Sequence, residues 1–492
     1  MTRALISIAL LLLWEDSSEA TTPSDLCTGN PCVISKVAVL EDTVLDFGAG
    51  TEVRLTRGAT LQVGVPGAAT AGIELKAGSF VLEAGSRILA RTTPRTGWER
   101  SSVLLDAQGG SIDVRRGARV DLRGGSGSAL ELRATGDVLL RGKTDLRAKG
   151  DYVEAAALTV RAGGNAVLGG KLDAYGRGFN AFGSVIDVRA VGAVTVEEPI
   201  RADAQFGGEI FLSSETASVN VEKTLDVRGR LANDRESGGG EGGYVTIETL
   251  AGDVNVAGSL IAMGATAGSA EYVGVGGAIE IVSSGSIRLD GSVQLAGGAN
   301  ADAGTFTAVA EGDFVQGSRS ALSSAATPAG PDGIGGPIWI ETLGDAVLGR
   351  ILFDGPEAGT LEVTSAGDIR VLGPIVGTSS LGFGGVVALS SEGGVVIEGS
   401  IDVRAPGEDG VGGFVDVAAV TVDVLPTAKL DSRSGLPFPG FSGHRLRASG
   451  AMTIAGMLLA GGSNELVYET VPPVVTGLVD PAPTLVFDPP GP

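Results

Sequence analysis

The sequence predicts an all-β fold, a single-stranded parallel β-helix of about fifteen three-strand turns. Three observations carry that prediction. First, a Gly-x-Gly-Gly phrase followed by an apolar or aromatic residue, Pro once, occurs five times. The copies are Gly240-Glu-Gly-Gly-Tyr244, Gly274-Val-Gly-Gly-Ala278, Gly333-Ile-Gly-Gly-Pro337, Gly382-Phe-Gly-Gly-Val386 and Gly410-Val-Gly-Gly-Phe414. Second, each copy directly precedes a stretch that alternates apolar and polar residues, and the units recur with a period of about 28 residues. Third, the alternating stretches are three to five residues long and are separated by one or two glycine-rich corner residues. Such strands are too short for stable hairpins, and the corners are too short for crossover helices. A coil with one unit per turn satisfies all three, each strand stacking in parallel on its counterpart about 4.8 Å away.

Taken from the N-terminus, residues 1–20 read as a signal peptide. Arg3 gives the positive start, Ala4 to Trp14 the apolar run, and Ser18-Glu-Ala20 the small residues of a cleavage site. Residues 21–36 read as an N-terminal cap. They hold the only two cysteines, Cys27 and Cys32, in Cys-Thr-Gly-Asn-Pro-Cys, where Gly29 and Pro31 favour a turn. In an exported chain a Cys27–Cys32 disulfide is expected, and no further Cys or nearby His suggests a metal site. Export places the chain in the periplasm, at the cell surface or outside the cell.

Residues 37–474 form the predicted helix. The clearest turn follows Gly277: Ala278-Ile-Glu-Ile-Val, Ser286-Ile-Arg-Leu and Ser292-Val-Gln-Leu-Ala are its strands, with Ser284-Gly285 and Asp290-Gly291 as corners. The turn at Val386 repeats the plan, as does the turn at Thr360. Alternate apolar residues fill the interior, and glycine recurs at corners, where a tight bend often needs φ > 0. Extra residues fall mainly after the third strand, at 92–101, 229–243, 265–276, 323–336 and 432–443. They therefore gather on one edge, where a repeat protein usually builds its binding surface. Stacking is expected to stop at Asn464-Glu-Leu-Val-Tyr-Glu-Thr. Residues 475–492 are proline-rich and are expected to be a tail outside the ladder.

Composition narrows the function classes. The 492 residues include 79 Gly, one His and 4% aromatic residues, with a net charge of −22. A hydrophobic content of 43% is too high for a disordered acidic chain. The charge argues against a nucleic-acid partner, and after cleavage of the signal peptide no apolar run has transmembrane length.

The pattern Gly-Gly-x-Ile-x-Ile … Gly-x-Ile-x-Val-x-Gly … Ile-x-Ala/Val-x-Gly resembles the rungs of right-handed β-helix proteins on bacterial surfaces. These include filamentous-haemagglutinin-like adhesins and autotransporter passengers. The resemblance covers about nine-tenths of the chain and implies right-handedness. It also implies a non-enzymatic, adhesin-like surface or extracellular rod that binds glycans or matrix proteins through its loop edge. No cofactor is implied. The enzymatic alternative is a polysaccharide lyase or glycoside hydrolase of the pectin-lyase-like fold. Pectin hydrolases carry an Asp-Asp pair, which this chain lacks. The sole histidine, His444, reads as a solvated loop residue.

Two sets of residues are candidates for a binding site. Asp121, Asp145 and Asp173, with Asp226 further on, fall at the same place on third strands and read as an outward-facing row. Such a row suits Ca²⁺, a cationic ligand or a sugar, and for the enzymatic alternative it supplies the acids. Arg123, Arg147 and Arg228, each two residues after an aspartate, point instead to charge pairing. Downstream, Ile401-Asp-Val-Arg404 repeats the phrase. The second set is aromatic. Trp98, Tyr175, Phe179, Phe182, Phe206, Tyr272, Phe438 and Phe441 lie in or beside the loops after third strands, where exposed rings would stack on sugars. The glycine phrases lack the Asp of a calcium-binding β-roll, and no helix follows them to make a phosphate cradle.

Overall fold

Short strands with every second residue apolar bury one face, and here that face is the inside of a coil. The computed structural model describes residues 18–19, 22–40, 42–64, 70–90, 100–124, 127–231, 239–265, 274–327, 332–435 and 442–489. Apart from Ser18 and Glu19, the expected signal peptide lies outside the described residues. The described residues form a parallel β-solenoid with three sheets and almost no helix. One turn runs through Ile112–Val114, Arg119–Asp121 and Ala129–Ala134, one strand in each sheet. The third of these belongs to a sheet of longer strands, usually six residues.

By its internal contacts the chain divides into two units, Met1–Arg201 and Ala202–Pro492. In the first, the long-sheet interior is a column of aliphatic residues: Val103 stacks on Leu130, Leu130 on Leu158 and Leu158 on Ile186. In the second, the corresponding column runs from Ile210 through Val245, Ile279, Phe306, Ile338, Leu361 and Val387 to Val415. The long sheet holds six described strands in the first unit and eleven in the second. Turn length varies from 35 residues between Asn220 and Asn255 to 19 between Leu466 and Leu485. The turn count therefore departs from the fifteen that a fixed period gives.

Two devices fix register at the corners. In the second unit Asp313 Oδ1 accepts the Asp345 N–H at 2.9 Å, Asp345 Oδ1 that of Asp368 at 2.8 Å, and Asp368 Oδ1 that of Gly394 at 2.7 Å. Asp137 and Asn165 do the same in the first unit. Side-chain oxygens thus satisfy backbone donors that the corner takes out of the ladder. The second device is the glycine phrase. Only Gly333 among its glycines has positive φ, so a left-handed bend is not the general reason for them. Close approach is. A Cβ on Gly242, Gly276, Gly335, Gly384 or Gly412 would collide with the carbonyl oxygen of Ala262, Leu295, Phe353, Val403 or Ser432, respectively. The last glycine of each phrase then donates its N–H back to its own turn, as Gly277 does to Ala262 O at 2.6 Å and Gly413 to Val403 O at 2.7 Å.

The long connections lie where expected, between a strand of the third-strand sheet and the next long strand. Arg87–Leu89 and Arg100–Ala107 flank one, and Leu260–Ile261 and Ala278–Ser283 another. Cys27 and Cys32 form the expected disulfide, with Cα atoms 5.3 Å apart. It joins a one-turn helix, Pro23–Leu26, to the strand Cys32–Ile34, which stacks on Val53–Leu55.

Two expectations fail near the C-terminus. Stacking does not end at Asn464, and residues after 474 are not a tail outside the ladder. Ser463–Tyr468, Val474–Val475, Leu478–Asp480 and Thr484–Phe487 each pair with the turn before. The prolines are compatible because Pro472, Pro473, Pro481 and Pro483 stand between strands, where a missing N–H removes no ladder bond. Nor is His444 a solvated loop residue. It lies in Gly443–Ala448, stacked between Val415 and Asn464 in the inward-facing column of the long sheet, and it is buried.

Candidate functional site

The aspartate row lies on the sheet of third strands in the first unit. Asp121 stacks on Asp145, Asp145 on Asp173 and Asp173 on Arg201. The row is not an outward, water-facing one. Asp121 and Asp145 are 0% exposed and Asp173 is 2% exposed. The strands here are only two or three residues long, so the chain turns away directly after each aspartate. Cations from the same and adjoining turns then lie over the carboxylates.

The pairing is dense. Arg123 forks onto Asp121, its Nε 2.8 Å from Oδ1 and its Nη2 2.9 Å from Oδ2. Arg147 forks onto Asp145 in the same way, at 2.6 and 2.7 Å. Arg119 Nη2 reaches Asp121 at 2.9 Å and Asp145 at 3.2 Å, tying two turns together, and Lys171 reaches Asp173 at 3.0 Å. Bidentate, charge-assisted bonds of this kind are the strong ones. The hydrogen bonds to Asp145 and then to Tyr175 push the Arg147 guanidinium still further up, and that to Asp121 does the same for Arg123. The carboxylates of Asp121 and Asp145 are spent on these forks, while Asp173 holds Lys171 through Oδ2 and its buried Oδ1 has no hydrogen-bond partner among the described residues. The three offer no open oxygen cage for Ca²⁺ and no exposed acid or base. Among the described residues no group of three acidic, His or Cys side chains is placed to hold a metal ion.

What faces outward is therefore positive. Residues 119–123, 143–149 and 171–177 carry seven Lys and Arg against three Asp, in a chain of net charge −22. The aspartates are buried, whereas Arg119, Arg123, Lys143 and Lys171 keep between 31% and 55% of their side-chain surface in solvent. A local reversal of sign on an acidic protein focuses anions there.

The aromatic candidates split. Tyr175 follows Arg123 and Arg147 in its column and sits among arginines. Arg147 Nη1 donates to its hydroxyl at 2.9 Å, and the guanidinium carbons of Arg177, Arg201 and Arg147 lie 4.2, 5.0 and 5.5 Å from its ring centroid. Tyr175 thus braces cations and does not present a bare stacking face. Phe179 packs edge-on against exposed Tyr152, ring centroids 5.4 Å apart. Phe182 is exposed and bridges Glu154. The basic column and this aromatic edge thus share the turns from Lys149 to Phe182. Phe206 belongs to the second unit, where it is half-buried beside Glu241. Trp98, Tyr272, Phe438 and Phe441 lie outside the described residues.

Sequence reasoning found the aspartates, their arginines and Tyr175, but it placed the wrong charge outside. Tyr152, Lys149 and Arg177 were missed. Their signal was the excess of Lys and Arg in three aligned segments, which a whole-chain charge conceals. No family model, curated protein or solved structure matches this chain.

Proposed function

We propose that this chain is a non-catalytic, adhesin-like binding solenoid of the cell surface or extracellular space. Its ligand is an acidic polysaccharide, held along the cationic third-strand face of the first unit. The observation that carries the reading is the burial of Asp121, Asp145 and Asp173 beneath Arg119, Arg123, Lys143, Arg147 and Lys171. Carboxylate or sulfate groups of the polymer pair with the exposed cations, and sugar rings lie against Tyr152, Phe179 and Phe182. Export and surface placement rest on the leader-like residues 1–20 and the rung pattern. The enzymatic alternative draws no support from these aspartates, because each is committed to an arginine or lysine.

The test is binding of the full chain to immobilised polygalacturonate and to heparin, with neutral dextran as control. The expected result is binding to at least one acidic polymer, none to dextran, and a fall in affinity as salt rises. The double substitution Lys149→Gln/Arg177→Gln removes two cations and leaves the Arg123–Asp121 and Arg147–Asp145 forks in place, and it should weaken binding about tenfold. Equal binding by the double variant, or none by the parent, rejects the reading.

A further inference from the structure

A cleft of about 290 Å³ opens in the second unit, lined by Asp354, Thr378, Ser379, Ser380, Arg404 and Pro406, with Gly355 at its base. It lies on the sheet of third strands. Leu352 stacks on Val376 and Val376 on Asp402, so Asp354, Thr378 and Arg404, each two residues later, occupy three successive turns. The N–H of Gly355 donates to Thr378 O at 3.1 Å and that of Ser379 to Arg404 O at 2.9 Å, holding the alignment. With turns about 4.8 Å apart, Asp354 and Arg404 face each other across a small residue at about 10 Å between backbones. Thr378 makes the depression, because the next members of the same column are the long Arg404 and Arg433.

The chemistry of the lining is mixed. Asp354 makes no ion pair among the described residues, and burial pushes its carboxyl up, against its own backbone N–H and the charge of Arg350. Across the cleft, Arg404 is forked onto Asp402 through Nε and Nη2, at 2.8 and 2.7 Å. Asp402 neutralises its charge, and Nη1 is left out of the fork. Ser379 is fixed, its Oγ donating to Pro356 O at 2.6 Å and accepting from Gly382 N at 2.8 Å. An acceptor, a donor and hydroxyls in between match vicinal hydroxyls, each of which both donates and accepts. Pro406 supplies an apolar wall for ring C–H groups.

We propose that this cleft is a binding subsite for one neutral sugar unit, whose vicinal hydroxyls are held between Asp354 and Arg404. With Arg404 neutralised by Asp402, Asp354 leaves the cleft without surplus positive charge, so an anion gains nothing here. Hydrolysis would need a second free carboxylate, and the nearest along the strand, Asp402, is inside the Arg404 fork. The subsite therefore binds without cleaving, and it does so independently of the cationic face of the first unit.

The experiment is saturation-transfer NMR on the full chain at pH 7, with methyl α-galactoside, methyl α-glucoside and methyl α-mannoside as separate probes. At least one should bind with millimolar affinity. Asp354→Ala removes the acceptor without breaking an ion pair, and Thr378→Trp fills the depression. Each should weaken binding at least about tenfold, while Lys149→Gln/Arg177→Gln leaves it unchanged. The proposal is overturned if none of the three sugars binds the parent, or if binding survives both cleft substitutions. Binding of a neutral sugar by a parent chain that binds neither acidic polymer would reject the first-unit reading alone.

Discussion

His444 shows how much one residue can depend on its place in the stack. Its Nδ1 lies 2.7 Å from Asn464 Oδ1, and Asn464 Nδ2 donates to Pro481 O at 2.7 Å. The second bond orients the amide so that its oxygen faces the ring, which makes Nδ1 the donor and leaves Nε2 bare. Nε2 is buried with no hydrogen-bond partner among the described residues. A second proton would create an unpaired charge in a buried column. Burial therefore pushes the His444 pKa down to about 4, despite the opposing bond to Asn464 and the charge of Asp431. In the unfolded chain the value is 6.5, so the unfolded state binds the proton first as pH falls. The histidine's contribution is whole above pH 6.5 and is lost between 6.5 and about 4, amounting to about 3 kcal/mol. Asp431 acts in a lower window. Burial alone would raise its carboxyl, but hydrogen bonds from Arg433 and Lys429 outweigh that and hold it at about 2, so its contribution is lost from 3.8 down to about 2. The expected outcome is that His444→Gln flattens the decline in urea midpoint between pH 6.5 and 4 and leaves the decline below pH 3.8 intact. Parallel profiles for parent and variant would contradict this account.

At the level of the element, the glycine phrase is a contact device, and substitution separates that role from turn-making. Gly276→Ala places a methyl group against Leu295 O inside the closing bond of the turn. The backbone has to move, and the loss should be about 2–3 kcal/mol. A Cβ on Gly50 would meet nothing within 4 Å, and the φ of Gly50 is not positive, so Gly50→Ala should be neutral or slightly stabilising. Paired thermal melts of the two variants give the comparison, and equal midpoints would remove the close-approach explanation. The phrases themselves, the strand alternation and the cysteine turn were all legible in the sequence, because period and spacing are local properties. Three things were not. A strand as short as Leu172–Asp173 does not reveal which of its residues faces inward, so the aspartate row was placed on the wrong side. That a corner carboxylate such as that of Asp345 bonds to the following rung leaves no local mark in the sequence. Nor does the close packing by which a Cβ on Gly377 or Gly385 would strike the ring of fully buried Phe353. Each of these depends on what the adjacent turn contributes, and turns of unequal length hide that pairing from a fixed period.

At the scale of a whole unit, stability is distributed along a stack, with each turn contacting its neighbours. Inside the second unit, Phe306, Phe314 and Phe353 are among the largest fully buried side chains. The last described turn of that unit is different. Val474, Leu478, Leu485 and Phe487 are 53–58% exposed, and the strands Val474–Val475 and Leu478–Asp480 are two and three residues long. Tyr468 and Phe487 form a tilted ring pair at 5.5 Å that fastens this turn to the one before. With its apolar side chains this exposed, the turn gains little burial, so its opening costs a fraction of what interior turns need. Hydrogen exchange on the full chain should find the amides of residues 474–487 exchanging first among the strands of this unit. Those of Ile338–Thr342 and Thr360–Ser365 should persist at least about a hundredfold longer. Phe487→Ala should speed exchange in residues 474–487 and in Ser463–Tyr468, while leaving the interior strands unchanged, because coupling in a stack passes through the shared face between turns. Uniform protection from Ile338 to Phe487, or an effect of Phe487→Ala that spreads over the whole unit, would mean that the solenoid unfolds as one cooperative block.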